Sequence, residues 1–384
     1  LVSPTGVVNG DLVPSGDTKS ALFTGNLVGT AIIQAVSSFT DITGVVTVTP
    51  GSVSATNSTI GVSVGTAVVN SGTNPITITV ITKDTAGNLI SGKNVVVSAT
   101  GSINSINPVS ALTDANGVAT FTISSTKAEQ KIISAKIEGN PIDASQNKTI
   151  TFTHDVASQL SVTQQPSDTA TAGVIFTQQP VINVLDSFGN LVTNSSVIIT
   201  ATKHSDANLD VLKGTLTATA SEGVATFSGL KYEKATTISI DFSSGSLTPV
   251  TSSSIAVSPA FPANITFQTP PTSSQGSTVD NALTGQPVVS IKDTFGNNVA
   301  NGTTVTLTKA VGSGALQGIL TQTTTNGVAT FSSVGYNKVD QFSITATAGG
   351  VLITSDSIGP LGAGVIVNFS ISATSPQIAG TPFT

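Results

Sequence analysis

The 384-residue chain contains no cysteine, no methionine and no tryptophan. Without cysteine there can be no disulfide, no thiolate nucleophile and no cysteine-ligated zinc. That absence does not point to the cytosol, because units of about 100 residues bury enough core to stand without cross-links. The missing methionine leads us to expect an interior or processed segment of a longer product. Charge is scarce as well: Asp, Glu, Lys and Arg make up 9% of the chain, and 14 Lys plus Arg against 20 Asp plus Glu leave a net charge of −6. So few and scattered cations offer no basic patch to a phosphate backbone, and nucleic acid is not expected as a partner. No apolar run reaches 18 residues, so no membrane span is expected in this segment. A Ser/His/Asp hydrolase would have to draw on His154 and His204, and no serine sits in a Gly-x-Ser-x-Gly on a strand-to-helix elbow, since Gly61-Val62-Ser63-Val64-Gly65 has no helical pattern after it. Paired carboxylates for glycoside hydrolysis need a cleft between them, and enzymatic activity is not expected. With two tyrosines and no tryptophan, an aromatic platform for carbohydrate is not expected either.

What is present is strand-forming. Hydrophobic residues make up 38% and the mean hydropathy is +0.29, which places the chain among folded proteins. Val, Ile and Thr dominate the apolar runs and favour strands. Alternation of period two is clear: Ile76, Ile78 and Val80 fall on one face and Thr77, Thr79 and Ile81 on the other, and Val118, Thr120 and Thr122 oppose Ala119, Phe121 and Ile123. Nothing sustains a helical period.

A strand followed by a turn is written three times: Val80 to Ile90 around Asp84-Thr85-Ala86-Gly87-Asn88, Val184 to Val192 around Asp186-Ser187-Phe188-Gly189-Asn190, and Ile291 to Val299 around Asp293-Thr294-Phe295-Gly296-Asn297. The aspartates lie 186 − 84 = 102 and 293 − 186 = 107 residues apart. A second signature, Gly-Val-Ala-Thr-Phe, starts at Gly117, Gly223 and Gly327, at intervals of 223 − 117 = 106 and 327 − 223 = 104. Such a period means a tandem array of small domains. The openings agree. Strands at 156–162, 262–267 and 364–371 each run into a proline, at Pro166, Pro270-Pro271 and Pro376, and then a glycine, Gly173, Gly285 or Gly380. A proline there marks an edge or a change of sheet.

The alignment divides the chain into 1–50, the latter part of a repeat, complete units at 51–155, 156–259 and 260–361, and 362–384, the start of a further one. In the first segment Gly29 to Ala35 aligns with the strand containing Lys131 to Ala135. Turn signals every 8–12 residues predict seven to eight strands per unit in two packed antiparallel sheets. The joints are short. His154-Asp155-Val156 forms one, and Ser258-Pro259-Ala260-Phe261-Pro262, stiffened by its prolines, forms the next. The fold class is therefore all-β, tandem antiparallel β-sandwich domains in an extended rod.

The Asp-x-x-Gly-Asn turn, the Asn-Gly-Val-Ala-Thr-Phe strand and the later Ile-Thr-Ala strand resemble bacterial immunoglobulin-like repeats of invasin- and intimin-like adhesins and large surface proteins. The resemblance covers nearly the whole chain. It implies Ig-like units, an extracellular or cell-surface location and a role as stalk or spacer. No terminal lectin-like head is recognisable.

Asp84, Asp186 and Asp293 admit two readings. Each can cap its own turn, with the glycine taking positive φ. With Asn88, Asn190 and Asn297 each also offers oxygen ligands suited to calcium, which would need several loops at a domain junction, where Asp155 lies. The segment Ser205 to Asp210 is expected to be a solvated polar loop. Phe121, Phe227 and Phe331 are expected in cores, and Phe188 and Phe295 are expected to be more exposed, available to a neighbouring domain or a partner. The expected function is the extracellular structural stalk of a large bacterial surface adhesin, with neighbouring repeats as its partners. The alternative is a self-assembling surface-layer or filament subunit that associates with copies of itself.

Overall fold

The computed structural model describes residues 12–16, 20–35, 42–70, 72–204, 210–273 and 278–364. Within them the chain is built of strands, with one single-turn 3-10 helix at Ala144–Gln146. The loop at 205–209 and the opening strand expected at 364–371 lie almost wholly outside the described residues.

Three separate cores organise the chain, formed by buried residues between Ile60 and Phe152, between Leu160 and Val257, and between Ile265 and Leu361. The first unit shows why two sheets form. Ile76, Ile78 and Val80 are buried while the residues between them are half-exposed, as the alternation requires. Strand Ile76–Ile81 lies between Thr59–Val62 and Val118–Ser125, which in turn pairs with the edge strand Asn104–Asn107. The facing sheet runs Ala111–Leu112, Asn94–Ala99, Gln130–Ile137, Lys148–Thr153 and Thr66–Val68. Phe121, Phe227 and Phe331 are each almost wholly buried, as their place in the alternation predicts. Tyr232 and Tyr336 are fully buried, so neither is available as a sugar platform.

The opening strand of each unit changes sheets. In the first unit Thr59–Val62 pairs antiparallel in one sheet, and Thr66–Val68 then runs parallel to the last strand, Lys148–Thr153, in the other. The second unit repeats this, with Gln159–Gln164 in one sheet and Thr169–Thr171 parallel to Ile255–Ser258 in the other, on either side of Pro166. In the third unit Asn264–Thr269 is followed, past Pro270-Pro271, by a parallel bridge from Thr278 to Gly362. This switch and the short edge pieces raise the strand segments to nine or ten per unit, against the seven or eight expected.

Lys131 departs from the pattern. It falls on the inward phase of its strand with Ile133, Ala135 and Ile137 and is fully buried. Its Nζ donates to the Ser102 carbonyl and pairs with Glu129 at 2.7 Å, and it lies 5.9 Å from the Phe152 ring centroid. The apolar stem is thus buried while the ammonium reaches acceptors at the unit's edge.

Before the first unit, Gly29–Ala35 and Ile42–Val48 form an antiparallel hairpin that pairs as Gln130–Ile137 does with Lys148–Thr153.

Candidate functional site: the joint between units

The three Asp-x-x-Gly-Asn turns have one construction. The glycine takes positive φ in each, +88° at Gly87, +83° at Gly189 and +80° at Gly296, a region costly for other residues. Oδ1 of the aspartate accepts two backbone N–H groups, two and four residues on. For Asp186 these come from Phe188 at 2.9 Å and Asn190 at 2.8 Å. Asp84 receives Ala86 and Asn88, and Asp293 receives Phe295 and Asn297. Oδ2 accepts the asparagine side-chain amide of its own turn, at 2.8, 3.0 and 2.8 Å in chain order. It also accepts a backbone N–H from the linker that enters the unit: Gly51 at 2.9 Å, Asp155 at 3.0 Å and Ala260 at 2.9 Å. The aspartate thus ties the linker to the turn.

The asparagine then reaches out of its unit. Asn190 Nδ2 donates to the Thr126 carbonyl of the preceding unit at 2.9 Å, and its Oδ1 accepts the Ala128 N–H at 2.9 Å. Asn297 does the same with the Glu233 carbonyl at 2.8 Å and the Ala235 N–H at 3.0 Å. Asn88 does so with the Asn26 carbonyl at 2.9 Å and the Val28 N–H at 3.2 Å. Each time the acceptor and donor are two residues apart, on a loop that leads into a strand of the preceding unit. Only a short primary amide can make this set, because it must accept one N–H while donating to a carbonyl and to its own aspartate. Aspartate in its place would set a second carboxylate against the first.

These three carboxyls are buried. Burial pushes each of them up. The asparagine amide and three backbone N–H groups outweigh it and hold each below its ordinary value of 3.8. The four donors occupy both oxygens of each group, so calcium there would have to displace N–H groups that already fit. The three lie in three different turns. Asp155 meets Asp186 through its backbone N–H, and among the described residues no cluster of three or more His, Cys, Asp or Glu gathers at one point.

The joints differ in packing. Between the second and third units Phe295 lies against the core of the second, over Gly173, where an added Cβ would overlap the ring. Lys234 Nζ donates to the Phe295 carbonyl at 2.8 Å. Between the first and second units the equivalent Phe188 stays 40% exposed, and open grooves of about 380 and 440 Å³ flank the joint. Phe188 thus keeps an exposed position, and Phe295 packs against the neighbouring unit, the two outcomes open to these residues. Of the histidines, His204 pairs with Asp241 at 2.9 Å on an exposed sheet face, and His154 Nδ1 lies 2.9 Å from the Asp155 carbonyl.

Sequence reasoning found the aspartates and missed the second role of the asparagines. A signal was available: the receiving loops Thr126-Lys127-Ala128 and Glu233-Lys234-Ala235 share a central lysine.

Known proteins give the following comparisons. FdeC, an adhesin of Escherichia coli, is 17% identical; the match covers 81% of this chain and 100% of that one, with a TM-score of 0.46. Invasin, a bacterial integrin-binding protein, is 16% identical over 80% of this chain and 60% of its own, with a TM-score of 0.37. InvD of Yersinia pseudotuberculosis is 15% identical over 78% and 97%, with a TM-score of 0.39. Among curated proteins no match is found. A family model, the bacterial Ig-like domain (group 1), matches residues 65–153, within the first complete unit.

Proposed function

We propose that this chain is a structural stalk of a bacterial cell-surface adhesin, a spacer that holds other parts of a larger protein away from the cell. The observation that carries this reading is the repeated joint. Three cored units are linked by short connections, and each unit is tied to the one before it by the same asparagine, so a direction set at one joint is set again at the next. The parallel pairing of first and last strands suits a load-bearing unit. In the first unit the Val69 N–H donates to Thr153 O at 2.8 Å and the Thr151 N–H to Gly65 O at 2.8 Å. Tension on the two ends shears these bonds together rather than one at a time. The match of residues 65–153 to a bacterial Ig-like family supports the surface location.

Single-molecule pulling on the full chain tests the reading. Three unfolding steps of about 35 nm each are expected, from roughly 100 residues at about 3.5 Å per residue. A single continuous extension without steps would overturn it. Ordered filaments or sheets in concentrated samples would instead favour self-assembly.

A further inference from the structure

The third unit carries a loop of the kind that receives an asparagine. Its position is fixed by the core residues on either side. In the second unit the receiving loop Glu233-Lys234-Ala235 follows the fully buried Tyr232 and precedes the buried Ile238. In the third, Asn337-Lys338-Val339 follows the fully buried Tyr336 and precedes the buried Phe342, with the same number of residues between and the same central lysine. Asn337, Lys338 and Val339 are exposed, Val339 by 56%, as is the Asn88-bound loop Asn26-Leu27-Val28, whereas Thr126, Ala128, Glu233 and Ala235 are half-buried. Among the described residues nothing hydrogen-bonds to the Asn337 carbonyl or the Val339 N–H.

We propose that Asn337-Lys338-Val339 is a docking site for the Asp-x-x-Gly-Asn turn of a following Ig-like unit. Its asparagine would donate to the Asn337 carbonyl and accept the Val339 N–H, and Lys338 would reach the backbone of the incoming turn as Lys234 does. The occupant is a following unit and not a second copy of this chain. Asn88, Asn190 and Asn297 each already hold a loop of their own chain, so a second copy has no such turn to offer among the described residues. The sequence from Gly364 onward repeats the opening of the earlier units, which places a following unit's opening directly after the third unit. The inference rests on the stalk reading and extends it: the array is read as a chain of directional joints, each specified by one asparagine and one three-residue loop.

Amide hydrogen exchange tests this. In the 384-residue chain the Ala128 and Ala235 N–H groups should be protected at least tenfold more than the Val339 N–H. A second chain replaces residues 365–384 with residues 158–259, which contain the whole core of the second unit. There the Val339 N–H should gain at least tenfold protection, and substituting the asparagine copied from Asn190 with alanine should remove it. The copied core amides show whether the added unit has folded. If it has not, a third chain that adds residues 178–259 after Thr384 is read in the same way. Protected Ala128 and Ala235 with Val339 unchanged beside a folded added unit would overturn this docking site alone. Unprotected Ala128 and Ala235 would overturn the joint itself.

Discussion

Asn190→Ala tests the joint where little else holds it. Phe188 is partly exposed at this junction and open grooves flank it, so the amide is its main specific contact. The substitution removes two hydrogen bonds across the joint, each 2.9 Å long, and one to Asp186 at 3.0 Å. Neutral hydrogen bonds contribute about 1 kcal/mol net each, and one to a carboxylate contributes about 2. The joint should therefore weaken by about 2 kcal/mol, roughly a 30-fold shift towards the undocked state. The second unit should lose about another 2 kcal/mol of its own stability through the under-solvated Asp186 carboxylate. Residue-resolved hydrogen exchange separates the two effects. The Ala128 N–H reports the joint, and the Val184 N–H, which donates to Gly223 O at 2.8 Å, reports the core of the second unit. Ala128 should exchange about 30-fold faster in the variant, beyond any change that Val184 shows. If Ala128 keeps its protection while Val184 loses it, the asparagine serves its own turn and does not link the units.

Three further outcomes are expected. The folded-state pKa values of Asp84, Asp186 and Asp293 lie below the ordinary value, so their stabilising contribution is complete above about pH 4 and is lost as the pH falls through that value towards the lower folded pKa; thermal melts should be flat from about pH 7 to 5 and fall steeply below, and Asp186→Asn should flatten the acid limb for its unit, whereas an acid limb unchanged by D186N would assign the loss elsewhere. Gly173→Ala should destabilise the second unit by about 1 kcal/mol through its positive φ of +76° and further through overlap with Phe295; adding Phe295→Ala should relieve only the second part, and strict additivity in the double variant would show that the ring does not sit on that glycine. Calcium at about 1 mM should leave the melting temperature unchanged, because the oxygens it would seek already accept N–H donors, and a rise would support the calcium reading of these aspartates.

The repeat, the strand faces and the turns were legible because each is local. Alternation in Ile76 to Ile81 and the Asp-x-x-Gly-Asn spacing are carried by neighbouring residues, and each buried face follows from period two. The joint was less legible because Asn190 and Thr126 are separated by 64 residues and neither is unusual for its own surroundings. What betrays the pair is recurrence of both halves, the asparagine after the glycine and, in two of the three receiving loops, a central lysine, with Leu27 in the other. Phe188 and Phe295 could not be told apart by position, since their difference comes from the preceding unit, where Gly173 leaves room for one ring. Lys131 reads as a core position by phase and as a surface residue by type. Phase prevails because the ammonium finds Glu129 and the Ser102 carbonyl at the unit's edge.

The central claim is that asparagines hold successive units in fixed directions. Electron microscopy of single particles tests it most directly, comparing the wild-type chain with a variant carrying Asn88→Ala, Asn190→Ala and Asn297→Ala. The wild type should show a narrow distribution of angles between units and the triple variant a broad one with folded units intact. Equal distributions in the two would contradict the account.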